Sequence, residues 1–317
     1  MTDPEAWDGA LRRLSASPPL MQSWGYAQVQ AGEGWDPEPV ELPGGGLALA
    51  LLRGPRGMRW AYVPRGPVPP SEAALTELVA WARARGVVRL RVEPEAGPGL
   101  EDALASLGFT PGTALHPVDT LVVPLAGEDE MLAAFKPKHR YNIRLALRRG
   151  VGVEEGDDVA ELHRQHLATA ARQEISPPTL EAYRRRLERL DWCRVYVARV
   201  DGEAVAATMV ARFGARAYYL FGGSTGSHRQ LMPTYAVQWA AMRAAAEAGC
   251  RDYDLWGLPP SAEPDHPWHG LWQFKTGFGG ERVTYCGAHD LVLAPVRARL
   301  DPLAGGVGRL ARAVKRS

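Results

Sequence analysis

The chain has 317 residues, of which 46% are apolar and 23% are charged, and its formal net charge is +1. This length predicts two domains of about 150 residues each, and the balance of apolar and charged residues excludes a disordered chain. A net charge this small excludes general electrostatic attraction to nucleic acid, so any such contact must use a local basic patch and DNA is not an expected partner.

The three cysteines are far apart and have neither disulfide-framework nor zinc-site spacing. They are expected to be buried thiols in a reducing compartment. Residues 1–10 lack the basic stretch and apolar run of a secretion signal, and no later segment has the length and apolarity of a membrane span. The sequence therefore predicts a cytoplasmic protein.

In chain order, each half of the sequence predicts β-strands followed by a helix, a strand and a second helical segment. Apolar runs bounded by Gly and Pro predict the strands. The helices are predicted from an N-cap at Ser71, from apolar or Ala-rich faces and from the Gly residues that end them. In the first half the strands are 47–53, 59–63 and 87–92, and the helices 71–86 and 100–107. In the second half the strands are 194–200, 204–213, 217–221 and 253–256, and the helical segments 236–248 and 271–275. This repeated order predicts a structural duplication.

A long helix is predicted between the halves at 129–149, with Pro137 breaking or kinking it. We place the domains at 1–128, 129–290 and 291–317, the last being a basic and partly apolar C-terminal segment for which a helix is the expected structure. That segment is expected to pack on the protein, with contact to an anionic membrane as the alternative.

The helix between the halves carries a basic stripe. Arg140, Arg144 and Arg148 recur every four residues, so on a helix they lie on one face. Such a stripe attracts phosphates, whereas the alternative interpretation is an ordinary solvated face.

Lys275 follows an aromatic segment that includes Trp272 and Phe274. An ammonium in a half-buried aromatic setting can stabilise an oxyanion during acyl transfer, although a lone lysine is usually a surface residue. Asp265, His266 and His269 lie in a Pro-rich loop without ligand spacing on a helix, so no metal site is predicted.

Several blocks, read together, resemble the FemABX peptidyltransferases, which transfer amino acids from aminoacyl-tRNA to the peptidoglycan stem peptide. The most specific is GLWQFKTGFGG at 270–280. The other blocks are 22–30, 138–151, 169–173, 218–224, 232–242 and 253–259. The resemblance implies an α+β fold of two tandem acetyltransferase-like (GNAT-like) domains, with mixed β-sheets flanked by helices. It implies an acceptor groove in the first domain and a transfer site in the second.

The resemblance also implies roles for individual residues. Phe274 and Lys275 match the pair at the family's transfer site, with Lys275 stabilising the tetrahedral intermediate. The residues assigned to substrate binding are Tyr219, Tyr183, Arg172, Arg140, Arg144 and Trp272. Gln30 replaces a basic residue of the family, and an arginine often found shortly before the Tyr183 position is absent. These departures predict a difference in acceptor recognition from the family. No segment has the length or heptad pattern of the helical arm found in some members, which indicates the compact type.

Acetyltransferase-like domains bind the coenzyme A pyrophosphate with backbone N–H groups before a helix. The matching stretches, 66–71 and 229–235, are rich in Pro or lack Gly, so they are poor in donors and no cofactor is expected. The predicted donor is aminoacyl-tRNA and the predicted acceptor is a peptidoglycan precursor, with a peripheral contact at the inner membrane face. An N-acyltransferase acting on another small amine or polysaccharide is the alternative, and a non-enzymatic scaffold is the third interpretation.

Overall fold

The computed structural model describes residues 3–173, 176–259, 263, 265 and 268–295. These residues form two compact units, the first from 3–118 with 284–295 and the second from the described residues between 119 and 283. The limits differ from the predicted boundaries after residues 128 and 290. They differ because the strand at Asp119–Pro124 pairs within the second unit, whereas the strand at His289–Val292 pairs within the first.

The secondary structure of the described residues alternates between strands and helices in both units. The α-helices are α1 Pro4–Leu14, α2 Trp24–Ala31, α3 Glu72–Ala84, α4 Glu101–Ser106, α5 Glu128–Ala134, α6 Pro137–Arg148, α7 Val159–Gln173, α8 Leu180–Arg189, α9 Pro233–Glu247 and α10 His269–Thr276. The strands are β1 Asp36–Glu41, β2 Leu47–Arg53, β3 Arg59–Arg65, β4 Val87–Pro94, β5 Thr110–Pro111, β6 Asp119–Pro124, β7 Gly152–Gly156, β8 Arg194–Val200, β9 Glu203–Phe213, β10 Arg216–Ser224, β11 Asp252–Gly257, β12 Glu281–Thr284 and β13 His289–Val292.

The first unit is a mixed sheet in the order β1-β2-β3-β4-β13-β5, in which β3 and β4 are parallel and their outer neighbours antiparallel. Strand β2 is buried along nearly its whole length, because its apolar residues face covered surfaces on both sides of the sheet. Helix α3 begins where the sequence predicts it, since the Ser71 side chain accepts a hydrogen bond from the Ala74 N–H.

The second unit repeats this plan with the sheet order β12-β6-β11-β10-β9-β8-β7. Strands β10 and β11 are its parallel pair, and β6 and β9 flank them in antiparallel orientation. Both units therefore place a parallel pair between antiparallel strands. The predicted α+β fold with mixed sheets and the predicted repeat of element order are confirmed.

Pro137 separates two helices, as its missing N–H and fixed φ predict. Helix α5 ends at Ala134, and α6 begins with Pro137 in its first turn. Phe135, in the connection, packs edge-on against Trp239 of α9 and Phe278, and all three lie in the core of the second unit.

None of the helices in the described part of the chain is long and apolar enough to cross a membrane. Most of the predicted C-terminal segment at 291–317 lies outside the described residues, which end at residue 295.

Candidate active site

The two parallel strands of the second unit separate after a short pairing. Strands β10 and β11 pair only from Arg216 with Asp252 to Tyr218 with Asp254. Beyond that point β10 stays with β9 and β11 stays with β6. In the first unit the parallel pair β3 and β4 remains paired to the ends of both strands. The second unit thus has a gap in its strand pairing, called the opening from here on, at the carboxyl ends of its parallel strands, the position where open sheets that contain parallel strands bind ligands.

An irregularity in each strand accompanies this separation. The register of β10 shifts between Tyr219 and Phe221, and that of β11 shifts between Asp254 and Gly257. Trp256, within the second shift, has a φ of 59°. A left-handed backbone is rare for a bulky residue, so the surrounding contacts must hold this turn.

Lys275, on α10, extends its ammonium to this opening. The residue is only 5% exposed, and its Nζ donates a hydrogen bond of 2.6 Å to the Gly257 carbonyl oxygen at the end of β11. The same Nζ lies 5.7 Å from the ring centre of Tyr219 on β10. The lysine therefore contacts both separated strands with one cation.

Burial lowers the pKa of Lys275 to about 8, while the negative charge of Asp254 opposes that shift. Burial also raises the pKa of Tyr219 to about 12, so its hydroxyl keeps its proton at neutral pH. Near pH 7 the opening therefore holds a cation that can donate hydrogen bonds to a developing negative charge.

Phe274 precedes Lys275, and a histidine from α6 fixes its backbone. The Nε2 of His139 donates a hydrogen bond of 2.8 Å to the Phe274 carbonyl oxygen. Burial lowers the pKa of His139, so the ring is neutral at pH 7. The Phe274 ring lies 5.2 Å from the ring of Tyr235, at the start of α9, and is half-buried.

Gly277 allows this close packing. A Cβ added at residue 277 would lie 1.7 Å from His139 Cε1, so no other residue fits against the ring without displacement. The packing of the His139 ring therefore requires glycine at residue 277, two positions after Lys275.

Two of the predicted aromatic residues have different surroundings. Trp272 is half-buried on α10, and the exposed Lys136 places its Nζ 5.6 Å from the Trp272 ring. Tyr183, on α8, is fully buried, and its hydroxyl bonds to His166. This burial leaves Tyr183 no surface for a substrate in this conformation.

The predicted arginines differ in exposure and in hydrogen-bond partners. Arg140 is half-buried, and its Nη1 donates to the carbonyls of Phe135 at 2.6 Å and Ala133 at 3.0 Å, where it caps the end of α5. Arg144 is exposed on α6. Arg172 donates to the Ser224 carbonyl at 2.6 Å and so joins α7 to the end of β10.

The start of α9, where an acetyltransferase would bind a pyrophosphate, has few available donors. Pro233 occupies the first turn and has no N–H. The N–H groups of Leu231, Met232, Tyr235 and Ala236 all donate to nearby carbonyl oxygens of the same turn. In the matching stretch of the first unit, the Val68 N–H donates to Leu47.

Asp254, Thr120 and His139 contact or support the Lys275 region, and sequence reasoning did not select them. Asp254 carries a detectable signal, because it is an acidic residue between apolar Tyr253 and Leu255 in a strand pattern. Among the described residues no group of three or more His, Cys, Asp and Glu is arranged to hold a metal ion, and His266 lies outside the described residues.

Comparison with known proteins adds three findings. Residues 137–269 match the family model described as an acetyltransferase (GNAT) domain. The lipid II:glycine glycyltransferase of Staphylococcus haemolyticus (strain JCSC1435) is 22% identical, over 86% of this chain and 88% of the relative. The protein of the same name from Staphylococcus aureus (strain USA300) is also 22% identical, over 67% of this chain and 70% of the relative.

Solved structures show the same fold. A crystal structure of FemX has a TM-score of 0.83 at 19% identity, over 95% of this chain and 98% of that one. The C-terminal domain of a putative lysylphosphatidylglycerol synthetase from Agrobacterium fabrum has a TM-score of 0.58 at 15% identity, over 99% of this chain and 100% of that one. The fold of tandem GNAT-like domains and the expectation of an enzyme are both confirmed. The chain is an acyl- or aminoacyl-transferring enzyme, and its similarity to the lipid II:glycine glycyltransferases and to FemX supports the resemblance to the Fem proteins.

Proposed function

We propose that the protein transfers an amino acid from aminoacyl-tRNA to the stem-peptide amine of a peptidoglycan precursor, at the inner face of the membrane. The observation that carries the proposal is the buried Lys275 ammonium at the opening between β10 and β11. The similarity to lipid II:glycine glycyltransferases supports the class of acceptor.

In the proposed reaction the acceptor amine attacks the ester carbonyl carbon of the aminoacyl group. A C–N bond forms, and the carbonyl oxygen becomes an oxyanion, which the Lys275 ammonium stabilises by a hydrogen bond and by its charge. The bond from this carbon to the terminal ribose oxygen then breaks. The proton lost by the amine balances the proton gained by the ribose oxygen, so the products are an amide and free tRNA.

Because the ester is already activated, this reaction depends on positioning and charge stabilisation more than on a strong base. Tyr219 and Phe274 lie beside Lys275 and are proposed to orient the reacting groups. Trp272 is proposed to contact substrate, and Arg144 to contact a phosphate of the tRNA or of the acceptor. Tyr183 and Arg172 are proposed to support the site through packing and backbone contacts.

We also propose that this is the compact type of the family. The longest helices of the described residues, α7 and α9, have 15 residues each, too few for a long helical arm.

The competing function is an acyl-coenzyme A dependent N-acyltransferase, which the match to the GNAT domain favours. The donor-poor start of α9 argues against it.

One experiment separates the two functions. The purified protein is incubated with a mixture of charged tRNAs or with acetyl-coenzyme A, and with lipid-linked or nucleotide-linked muropeptide precursors, and the products are weighed by mass spectrometry. We expect acceptor mass to increase by one aminoacyl residue only with charged tRNA. Acetylated product without any aminoacylated product would contradict the proposed function and support the acyl-coenzyme A dependent N-acyltransferase.

A further inference from the structure

We propose that Asp254 is a positioning residue that holds the Lys275 ammonium in place and supplies its counter-charge. It does so through the left-handed turn at Trp256 and the Gly257 carbonyl. This inference rests on the proposed role of Lys275, although the first measurement below does not depend on the reaction.

The buried position of Asp254 requires an explanation. The residue is 3% exposed and lies in β11 between the fully buried Tyr253 and Leu255. An isolated carboxylate in such surroundings is strongly destabilising unless it is hydrogen-bonded and paired with a positive charge. Oδ1 of Asp254 accepts hydrogen bonds from the Thr120 hydroxyl on β6 and from the Trp256 N–H, the latter at 2.7 Å.

The bond from Trp256 N–H to Asp254 Oδ1 closes a turn over two residues, the arrangement by which an Asp side chain stabilises a backbone turn. It explains how Trp256 keeps a φ of 59°. In the pairing of β11 with β6, Asp254 lies opposite Val122 and Gly257 lies opposite Thr120. Three steps along β11 therefore correspond to two steps along β6. The extra residue is a bulge, which redirects the following backbone groups.

The redirected group is the Gly257 carbonyl, which accepts the 2.6 Å hydrogen bond from Lys275 Nζ. Asp254 therefore acts on the lysine through the backbone as well as through charge. An ammonium on a flexible stem is poorly oriented alone, so a fixed acceptor at one proton directs the other two toward the opening.

The charge part of the inference is specific to Asp254, because the buried tyrosines of β10 and β11, Tyr219 and Tyr253, are uncharged near neutral pH. Burial raises the pKa of Tyr219 on β10 to about 12 and raises the pKa of Tyr253 on β11 well above its ordinary value. On β6 the contributing group is the hydroxyl of Thr120. Asp254 is the charge that opposes the effect of burial on Lys275.

The composition of the chain makes this testable. Lysines occur only at 136, 138, 275 and 315, so a spectrum of lysine labelled with carbon-13 at Cε has four signals. Lys275→Met assigns the signal of interest by its disappearance. The titration of that signal reports the Lys275 pKa without substrate.

The decisive variant is Asp254→Asn, which keeps an oxygen acceptor for Thr120 and Trp256 but removes the charge. We expect the Lys275 titration to move to lower pH by at least about half a unit, because one nearby opposite charge is lost. Thr120→Val is the matched control that keeps the carboxylate, and it should leave the titration within a few tenths of a unit.

An unchanged Lys275 titration in a folded Asp254→Asn protein would overturn the inference. If that variant does not fold, the wild-type protein provides the test. The Trp256 amide signal must then shift together with the Lys275 signal near pH 8, since the carboxylate contacts the first and acts on the second. An amide signal that does not respond overturns the inference equally.

Activity gives the second measurement. In Asp254→Asn the alkaline limb of the kcat profile should move to lower pH together with the Lys275 titration, with KM for the acceptor within a few-fold. A shifted titration in a protein that never aminoacylates any acceptor would reject the proposed function and leave the positioning role intact. Normal aminoacyl transfer with an unshifted Lys275 titration would support the proposed function and reject the positioning role of Asp254.

Discussion

The Nε2 of His139 lies 2.8 Å from the Phe274 carbonyl oxygen, so a neutral imidazole on α6 fixes the residue before Lys275. The same ring occupies the space that a side chain at Gly277 would need. His139 thus connects the block at 138–151 with the block at 270–280, two of the segments that carry the family resemblance.

This contact predicts a strong coupling between residues 139 and 277. Gly277→Ala should destabilise the protein by about 3 kcal/mol or more, because its Cβ would overlap His139 Cε1. In a His139→Ala background the same change should cost far less, since the obstructing ring is gone. Urea unfolding of the two single variants and the double variant measures this coupling. Additive free energies of unfolding would contradict the packing.

Replacing Lys275 by Met removes the proposed oxyanion contact and nearly preserves side-chain length. Turnover should fall by at least about 10²-fold, with acceptor affinity within a few-fold, because a transition-state interaction is lost. Lys138→Met, at an exposed lysine of α6, is the control and should retain turnover. If the Lys275→Met enzyme turns over as fast as the wild type, Lys275 does not stabilise the oxyanion.

The pH dependence of kcat distinguishes two roles for Lys275. Its pKa of about 8 means that the ammonium form predominates below that value. If the cation stabilises the oxyanion, kcat falls as pH rises through about 8. If the neutral amine acts as a base, kcat rises over the same interval. We expect the fall, and the pH profile of single-turnover rates measures it. In Lys275→Met the fall in rate near pH 8 should be absent.

The exposed arginines of α6 are the residues at which we expect a phosphate contact. Arg144 and Arg148 are exposed, whereas Arg140 is engaged with the carbonyls at the end of α5. Changing Arg144 and Arg148 to Gln should weaken binding of tRNA or of the acceptor diphosphate and flatten its salt dependence, because fewer counterions are released. Arg184 and Arg189 of α8 are also exposed, so their double change to Gln is a control matched in charge. Equal salt slopes for both double variants would assign Arg144 and Arg148 to a solvated face.

Local patterns in the sequence predicted most of the fold, because those patterns have local causes. The Ser71 N-cap, the Pro137 break and the strand at 194–200 are confirmed. Each depends on backbone chemistry or hydrophobic periodicity within a few residues.

The geometry of the site depends on contacts between distant segments, and the sequence could not predict it. Nothing near Trp256 marks a left-handed turn, since Gly or Asn is the usual residue there and the stabilising contact comes from the Asp254 side chain. Spacing placed Arg140 on the basic stripe, but the nearby end of α5 uses its guanidinium. Tyr183 matched a family position, yet helix packing buries it completely.

The start of α9 predicts that coenzyme A binds weakly. A pyrophosphate needs several converging N–H donors, whereas Pro233 has none, and the N–H groups of Tyr235 and Ala236 already donate to the Met232 carbonyl. An aminoacyl-tRNA derives its binding energy from phosphates and bases elsewhere, so it does not need this turn. Calorimetry should therefore detect no micromolar binding of acetyl-coenzyme A, while charged tRNA binds in the same buffer with a steep salt dependence. Micromolar coenzyme binding would mean that the turn rearranges to expose its donors, and it would favour the acyltransferase alternative.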